Sequence, residues 1–406
     1  MADVRPFRAL HYDLDHVGDL PAVVAPPYDV IDPDQRAELA GRSPYNVVEI
    51  DLPESYERAR ELFARWQEEG ALARDDVPAF WAMEQDYTGP DGRRYRRHGF
   101  FARVAVTDYG PGRIRPHERT HPGPKEDRLK LTRATNANLS PIFSLYDDPA
   151  QEAWGAIAPH VASQEAWGEV TDEDGTDHRI WRITDEQTLD AVSAALADRE
   201  LLIADGHHRY ETARVFHTEE GGAGHVLMCL VSLQDSGLTV FPTHRLLVGL
   251  DDARRAALEE ALERDWVSEP ADDPRPTGAQ LEIGYLDSDG ARRLRPRDLG
   301  TVDKALEGKP ESYRRLDTAV LEALVLKGAL GMTEDDISHL NGLTYSRSDD
   351  EAVEMIRSGE ADVAFFMAPT PVEQVRNVAA DGENMPPKST YFFPKVLTGL
   401  LFNPLD

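Results

Sequence analysis

Two histidine-containing stretches hold most of the residues whose types can do chemistry. The first, HERTH at residues 117–121, has the spacing of a zinc-protease helix, with Glu118 between His117 and His121. Pro116 precedes it, and Pro122 and Pro124 follow with Gly123 between them. A residue directly before proline is pushed away from helical geometry, so His121 is not expected to share a helix face with His117. The segment reads as a loop, and no zinc is expected. Between Arg113 and Arg133 the basic residues are Arg113, Arg115, Arg119, Lys125, Arg128, Lys130 and Arg133, and the acidic ones are Glu118, Glu126 and Asp127. Seven against three is a net of +4 in a chain of −30. Such an island concentrates anions. Glu118 is its candidate general base, and His117, Lys125, Arg128 and Arg133 are its candidate phosphate ligands.

The second stretch, IADGHHRYETA at 203–213, predicts a buried strand, a tight turn and a helix from about Arg209. A strand ending in Asp-Gly and opening a helix presents unpaired backbone N–H groups to an anion. Gly206 allows the turn and the close approach of a ligand. Asp205 can orient a hydroxyl or a metal ion such as Mg²⁺, and His207, His208 and Arg209 supply donors, arginine in bidentate fashion. Asp205 and His208 are candidate catalytic residues, and Gly206, His207 and Arg209 candidate phosphate ligands. The competing readings make Asp205 a simple helix cap beside exposed histidines, or a metal ligand with one of them. A third stretch, MPPKSTYFFPK, offers Lys388, Ser389 and Thr390 to a phosphate without the glycines of a P-loop. Tyr391, Phe392 and Phe393 read as core or pocket wall.

The elements that must position these residues are of both kinds. Residues 55–72 have Ser55 as cap and Tyr56, Ala59, Phe63 and Trp66 at helical spacing. PAFWAMEQDYTGPDGRRYRRHGFFARVAVT is a hairpin turning at GPDG, with Arg93, Arg94, Arg96 and Arg97 at a solvated strand end. NLSPIFSLY enters a strand, 150–200 mixes helix and strand, and HVLMCLVSLQDSGLTVFPTHRLLVGL is a second hairpin turning at QDSG. Helices follow near 252–264 and 318–329, and ADVAFFMAPTP holds a core strand. The elements do not alternate regularly, which predicts an α+β fold with mixed sheets and flanking helices. The expected division is a main domain over 1–250, a smaller unit over 251–330, and a segment over 331–406 that returns to the main site.

The chain has 406 residues, 41% of them hydrophobic, enough for two or three packed units. No apolar run reaches the length of a membrane span, and MADVRPFRAL lacks the apolar core of a signal peptide. With Cys229 as the single cysteine, a reducing cytoplasm is the expected location. A balance of 44 basic to 74 acidic residues argues against nucleic-acid or anionic-membrane partners. It fits a halophilic cytoplasm, where salt screens self-repulsion. Lysine is scarce, seven residues against 37 arginines, yet Lys125, Lys130, Lys388 and Lys395 all fall in the stretches above.

PPYDVI, YNVVEIDLP, PHERTHPGPKEDRL, NLSPIFSLY, ADGHHRYETA, PTHRLL and MPPKSTYFFPK, in that order, resemble the family known as domain of unknown function 1015, from about Pro26 to Lys395. Within it, DGHHR resembles the phosphate loop of ParB-like proteins, a group that includes free-serine kinases. The resemblance implies a ParB-like phosphate-loop core with a smaller appended unit. It also implies roles in phosphoryl transfer for Asp205, Gly206, His208 and Arg209, with Glu118 as the acid. The expected function is a small-molecule kinase moving phosphate from ATP or pyrophosphate to a free hydroxyl amino acid, L-serine first, with Mg²⁺. Lys125, Arg128, Arg209 and Lys388 would neutralise the transferring group. The alternatives are a phosphoester hydrolase using the same anion site, and a non-catalytic ParB-like nucleotide-binding regulator. The sequence leaves the oligomeric state open.

Overall fold

The computed structural model describes residues 3–120 and 122–405. By its contacts the chain divides into two compact units, Met1–Thr239 with Phe392–Asp406, and Val240–Tyr391. Both combine sheet with helix, so the α+β expectation holds.

The first unit is built on a nine-stranded mixed sheet. In chain order its elements are β1 (Val4–Arg5), α1 (Tyr56–Glu68), β2 (Phe80–Thr88), β3 (Arg94–Ala105), β4 (Ile114–Arg115), α2 (Pro122–Thr135) and β5 (Ile142–Tyr146). They continue with α3 (Glu152–Ser163), β6 (Gly168–Thr171), β7 (Asp177–Ile183), α4 (Glu186–Leu196), β8 (Leu201–Asp205), α5 (His207–Glu220) and β9 (His225–Ser232). The strand order is β4-β8-β5-β9-β3-β2-β7-β6, with β1 beside β3. The β4–β8 and β5–β9 pairs are parallel and the other pairs antiparallel.

Helix α1 begins where the side chain of Ser55 accepts the N–H of Arg58, and its Ala59, Leu62, Phe63 and Trp66 form one buried stripe. The core includes Phe80, Phe100, Tyr146, Ile203 and Met228 from the sheet, with Ile157 of α3 and Val192 and Leu196 of α4. Strand β9 runs between β5 and β3 and is buried from Val226 to Ser232. Burial pushes the Cys229 thiol within it up to about 12, which leaves it an inert core group.

Three sequence expectations change. The region after His121 is not loop but the fourteen-residue helix α2. Its prolines, Pro122 and Pro124, lie in the first turn, where backbone amides have no helical acceptor to lose. His121 itself lies outside the described residues. Arg97 is not at a solvated strand end. It is fully buried, whereas Arg93, Arg94 and Arg96 are exposed. The second expected hairpin does not form, because β9 pairs with β3 and β5 while His244–Leu247 belongs to the sheet of the other unit.

That second unit carries a six-stranded antiparallel sheet. Its elements are β10 (His244–Leu247), α6 (Asp252–Asp265), β11 (Trp266–Pro270), β12 (Ile283–Asp287), β13 (Gly290–Pro296), β14 (Leu343–Ser346), α7 (Asp349–Ser358) and β15 (Val363–Phe366). The order is β11-β13-β12-β15-β10-β14. The described division therefore differs from the expected one. Residues 331–391 share the sheet of 251–330, since β14 and β15 flank β10, and only Phe392–Asp406 joins the first unit. No helix among the described residues is long and apolar enough to cross a membrane.

Candidate functional site

Strand β8 ends at Asp205, Gly206 turns the chain, and α5 starts at His207, two residues earlier than the sequence suggests. Gly206 has φ +96°, a conformation a side chain resists, and an added Cβ would stand 2.9 Å from Nε of Arg209. No side chain caps the helix. The first N–H groups of any helix have no acceptor within it, and the helix dipole favours negative charge at that end.

Two cations hold the carboxylate that faces this turn. Arg209 Nη2 is 3.3 Å from Asp205 Oδ2, and Lys395 Nζ is 3.5 Å from the same oxygen. Burial opposes ionisation of Asp205, but Lys395 and Arg209 outweigh it and hold the carboxyl below the usual carboxylate range. Arg209 is more structural than its sequence context suggests. Its Nη1 donates to Ser140 Oγ at 2.7 Å and to the Pro141 carbonyl, which ties the approach to β5 against the turn.

The two histidine stretches meet here. The backbone N–H of His117 donates to His207 Nε2 at 3.3 Å. A nitrogen that accepts carries no proton, so neutral His207 bears its hydrogen on Nδ1, which lies 3.8 Å from Glu118 Oε2. His117 Nδ1 stands 2.8 Å from the Ile203 carbonyl and must donate to it. The two rings meet edge to face with centroids 4.6 Å apart, and Phe392 closes on His117 at 6.0 Å. Burial pushes His117 down to about 4. Burial and then His117 press His207 well below its ordinary value. Both imidazoles are therefore neutral near pH 7, while the Glu118 side chain beside them is 45% exposed. His208 is half-buried in the first turn of α5.

The remaining candidates divide. Lys125 is half-buried on α2, whose packing on α5 includes a bond from Thr212 Oγ1 to the Lys125 carbonyl at 3.3 Å. Arg133 is exposed in the last turn of the same helix. Arg128 does not reach toward a ligand. It is buried over the Tyr28 ring at 4.2 Å, with Nη1 2.9 Å from Asp51 Oδ1 and Nε 2.8 Å from Asp127 Oδ2. Its charge is spent on two carboxylates, and burial raises the pKa of Asp51 despite the pairing. Lys388, Ser389 and Thr390 belong to the second unit. There Lys388 is exposed at φ +56°, and Ser389 Oγ donates to Thr318 Oγ1 at 2.9 Å, which commits its hydrogen. Lys395 is the residue that sequence reasoning did not place at the site. Its scarcity as a lysine was the available signal, but no spacing connected it to Asp205.

Asp205 is a poor anchor for a protein-held cation, because two positive side chains stand against one of its oxygens. Among the described residues no group of three His, Cys, Asp or Glu side chains gathers as a metal cage.

The family model described as "Protein of unknown function (DUF1015)" matches residues 4–319. The chain belongs to the DUF1015 family. No curated protein matches it. Among solved structures this DUF1015 chain is similar to a conserved hypothetical protein from Pyrococcus furiosus, with TM-score 0.36, 15% identity, and coverage of 69% of this chain and 86% of that one. A free serine kinase in complex with AMP gives TM-score 0.36, 14% identity, and 69% and 83% coverage. SbnI with C-terminal truncation from Staphylococcus aureus gives TM-score 0.39, 13% identity, and 75% and 87% coverage.

Two outcomes are expected. Asp51→Ala removes the buried partner of Arg128, leaving only the half-buried Asp127, and should cost about 3–5 kcal/mol in denaturant unfolding. A loss below about 1 kcal/mol would mean that Arg128 does not depend on this partner. The second concerns pH. Unfolded, His117 binds a proton near its ordinary value of 6.5, and folded only near 4. Its contribution is therefore complete above about pH 6.5 and is lost as pH falls toward 4, on the order of 3 kcal/mol in all. Urea unfolding at several pH values should give a flatter acid limb for His117→Phe than for wild type. Parallel curves would remove His117 as a buried neutral group.

Proposed function

We propose that this protein is a small-molecule phosphotransferase, moving a phosphoryl group from ATP or pyrophosphate to the hydroxyl of a free amino acid, with L-serine as acceptor. The observation that carries the reading is the meeting of Glu118 with His207, 3.8 Å apart, at the uncapped start of α5 beside Asp205 and Lys395. Phosphoryl transfer asks a protein for a charge cradle and a group that steers the attacking hydroxyl. Both kinds of group are present here within a few side chains.

In this reading the donor's terminal phosphate lies over the first amides of α5, with Lys395 and His208 as further donors and Lys125 at the approach. Glu118 takes the proton of the acceptor hydroxyl. The hydroxyl oxygen bonds to the terminal phosphorus as the bond from phosphorus to the bridging oxygen breaks. ADP leaves when ATP is the donor, and orthophosphate when it is pyrophosphate. Neutral His207 turns Nδ1–H toward Glu118 and orients it. Asp205 keeps Lys395 and Arg209 in place. Mg²⁺ belongs to the donor's phosphates, where it keeps most of its waters, and no step above depends on a protein cage for it. The exposure of Glu118 favours a second reading, in which water replaces the amino acid and the protein hydrolyses phosphoesters.

Incubation with L-serine, Mg²⁺ and either donor at high salt should produce O-phosphoserine, detected by ³¹P resonance or mass. Glu118→Gln should lower kcat by about 10²–10⁴-fold and leave donor affinity within a few fold, because it removes the proton acceptor and spares the cradle. Full turnover by that variant would exclude Glu118 as the base. Phosphate release without phosphoserine would favour the hydrolase.

A further inference from the structure

Lys395 reaches Asp205 from a C-terminal strap that is held by an unusual row of buried polar side chains. Gln85 on β2 lies directly opposite Arg97 on β3 and directly opposite His178 on β7. Directly opposed residues of antiparallel strands project from the same face. The three side chains therefore stand in line across three strands, and all three are fully buried.

Their hydrogen bonds run in one direction. Arg97 Nε donates to Gln85 Oε1 at 2.9 Å, and Nη2 donates to the same oxygen. That fixes the orientation of the amide, whose Nε2 then spends its two hydrogens on His178 Nδ1 at 3.1 Å and on the Lys395 carbonyl at 3.0 Å. With Nδ1 accepting, His178 keeps its proton on Nε2 and donates it to Asp172 Oδ2 at 2.8 Å. Asp172 is itself fixed in the turn before β7, where Oδ1 accepts the N–H groups of Asp174 and Thr176. At the other end Arg97 lies over the Phe143 ring at 4.6 Å and donates Nη1 to the Phe393 carbonyl at 3.2 Å and Nη2 to the Pro394 carbonyl. Three consecutive carbonyls, those of Phe393, Pro394 and Lys395, are thus bound by one row.

A buried guanidinium is costly unless its donors are satisfied, and apolar residues of similar shape would fill these positions with less penalty. The row's product is a strap fixed to within hydrogen-bond tolerances at the residue whose ammonium meets Asp205. We infer that Arg97, with Gln85 and His178 behind it, is the positioning residue for Lys395, and that it sets where the site presents its lysine to an anionic group. This rests on the proposed function only for the identity of that group. The pairing of Lys395 with Asp205 stands apart from any activity.

The test uses full-length protein with ¹³Cε-labelled lysine. The chain has seven lysines, so the Lys395 signal can be assigned by its absence in Lys395→Arg. Arg97→Lys keeps the buried charge and removes the two-pronged grip on the strap. It should move the Lys395 signal toward that of the exposed lysines, as Asp205→Asn should also do, and weaken binding of inorganic pyrophosphate about tenfold or more by titration. His178→Phe, which removes one acceptor from Gln85 and leaves Arg97 untouched, should give a smaller shift in the same direction and serves if Arg97→Lys does not fold. An unchanged Lys395 signal in either folded variant overturns the positioning role. A shifted signal in protein that transfers no phosphate would keep the positioning role and reject the proposed reaction.

Discussion

The carboxylate of Asp205 is the constraint on which the site's geometry depends. It closes β8, precedes the one glycine that can make the turn, and is gripped by Arg209 from one turn further along α5 and by Lys395 from the far end of the sequence. Each cation brings another segment with it. Arg209 draws in Ser140 and Pro141 ahead of β5, and Lys395 brings the strap held by Arg97. Without the two cations, burial would favour the protonated acid. Without the carboxylate, two half-buried positive charges would face each other with no anion between them.

Around this hub the structure separates charge from neutrality. His117 and His207 are buried and neutral, so they contribute directed hydrogen bonds and no net charge. The positive charge comes from Lys395 and Arg209 on Asp205, and Glu118 adds an exposed carboxylate beside His207. Arg128, the obvious cation of the neighbouring helix, is withdrawn by Asp51 and Asp127.

Much of this was legible in the sequence, for identifiable reasons. The turn at Asp205–Gly206 is legible because only a glycine makes it cheaply, and Glu118 stands out as an acid inside a basic island. The true start of α5 is not marked in the sequence, because Asp-Gly-His-His carries no side-chain cap. Helix α2 was hidden by Pro122 and Pro124, which interrupt a helix everywhere except in its first turn. Arg97 is hidden in its local pattern, since four arginines in five residues look like a solvent-facing patch, and only the pairing of β2, β3 and β7 shows that one of them faces Gln85. Long-range pairings of this sort, like that of Lys395 with Asp205 across 190 positions, leave no local pattern to read.

The proposed function requires an anion on the first amides of α5 with Lys395 beside it, within reach of Glu118. A crystal structure of the protein soaked in inorganic pyrophosphate tests it most directly. A phosphate oxygen should lie in hydrogen-bond contact with the backbone N–H of His207 or His208 and with Lys395 Nζ. Pyrophosphate seated elsewhere, or a helix start without it at saturating concentration, would overturn the placement of the anion there.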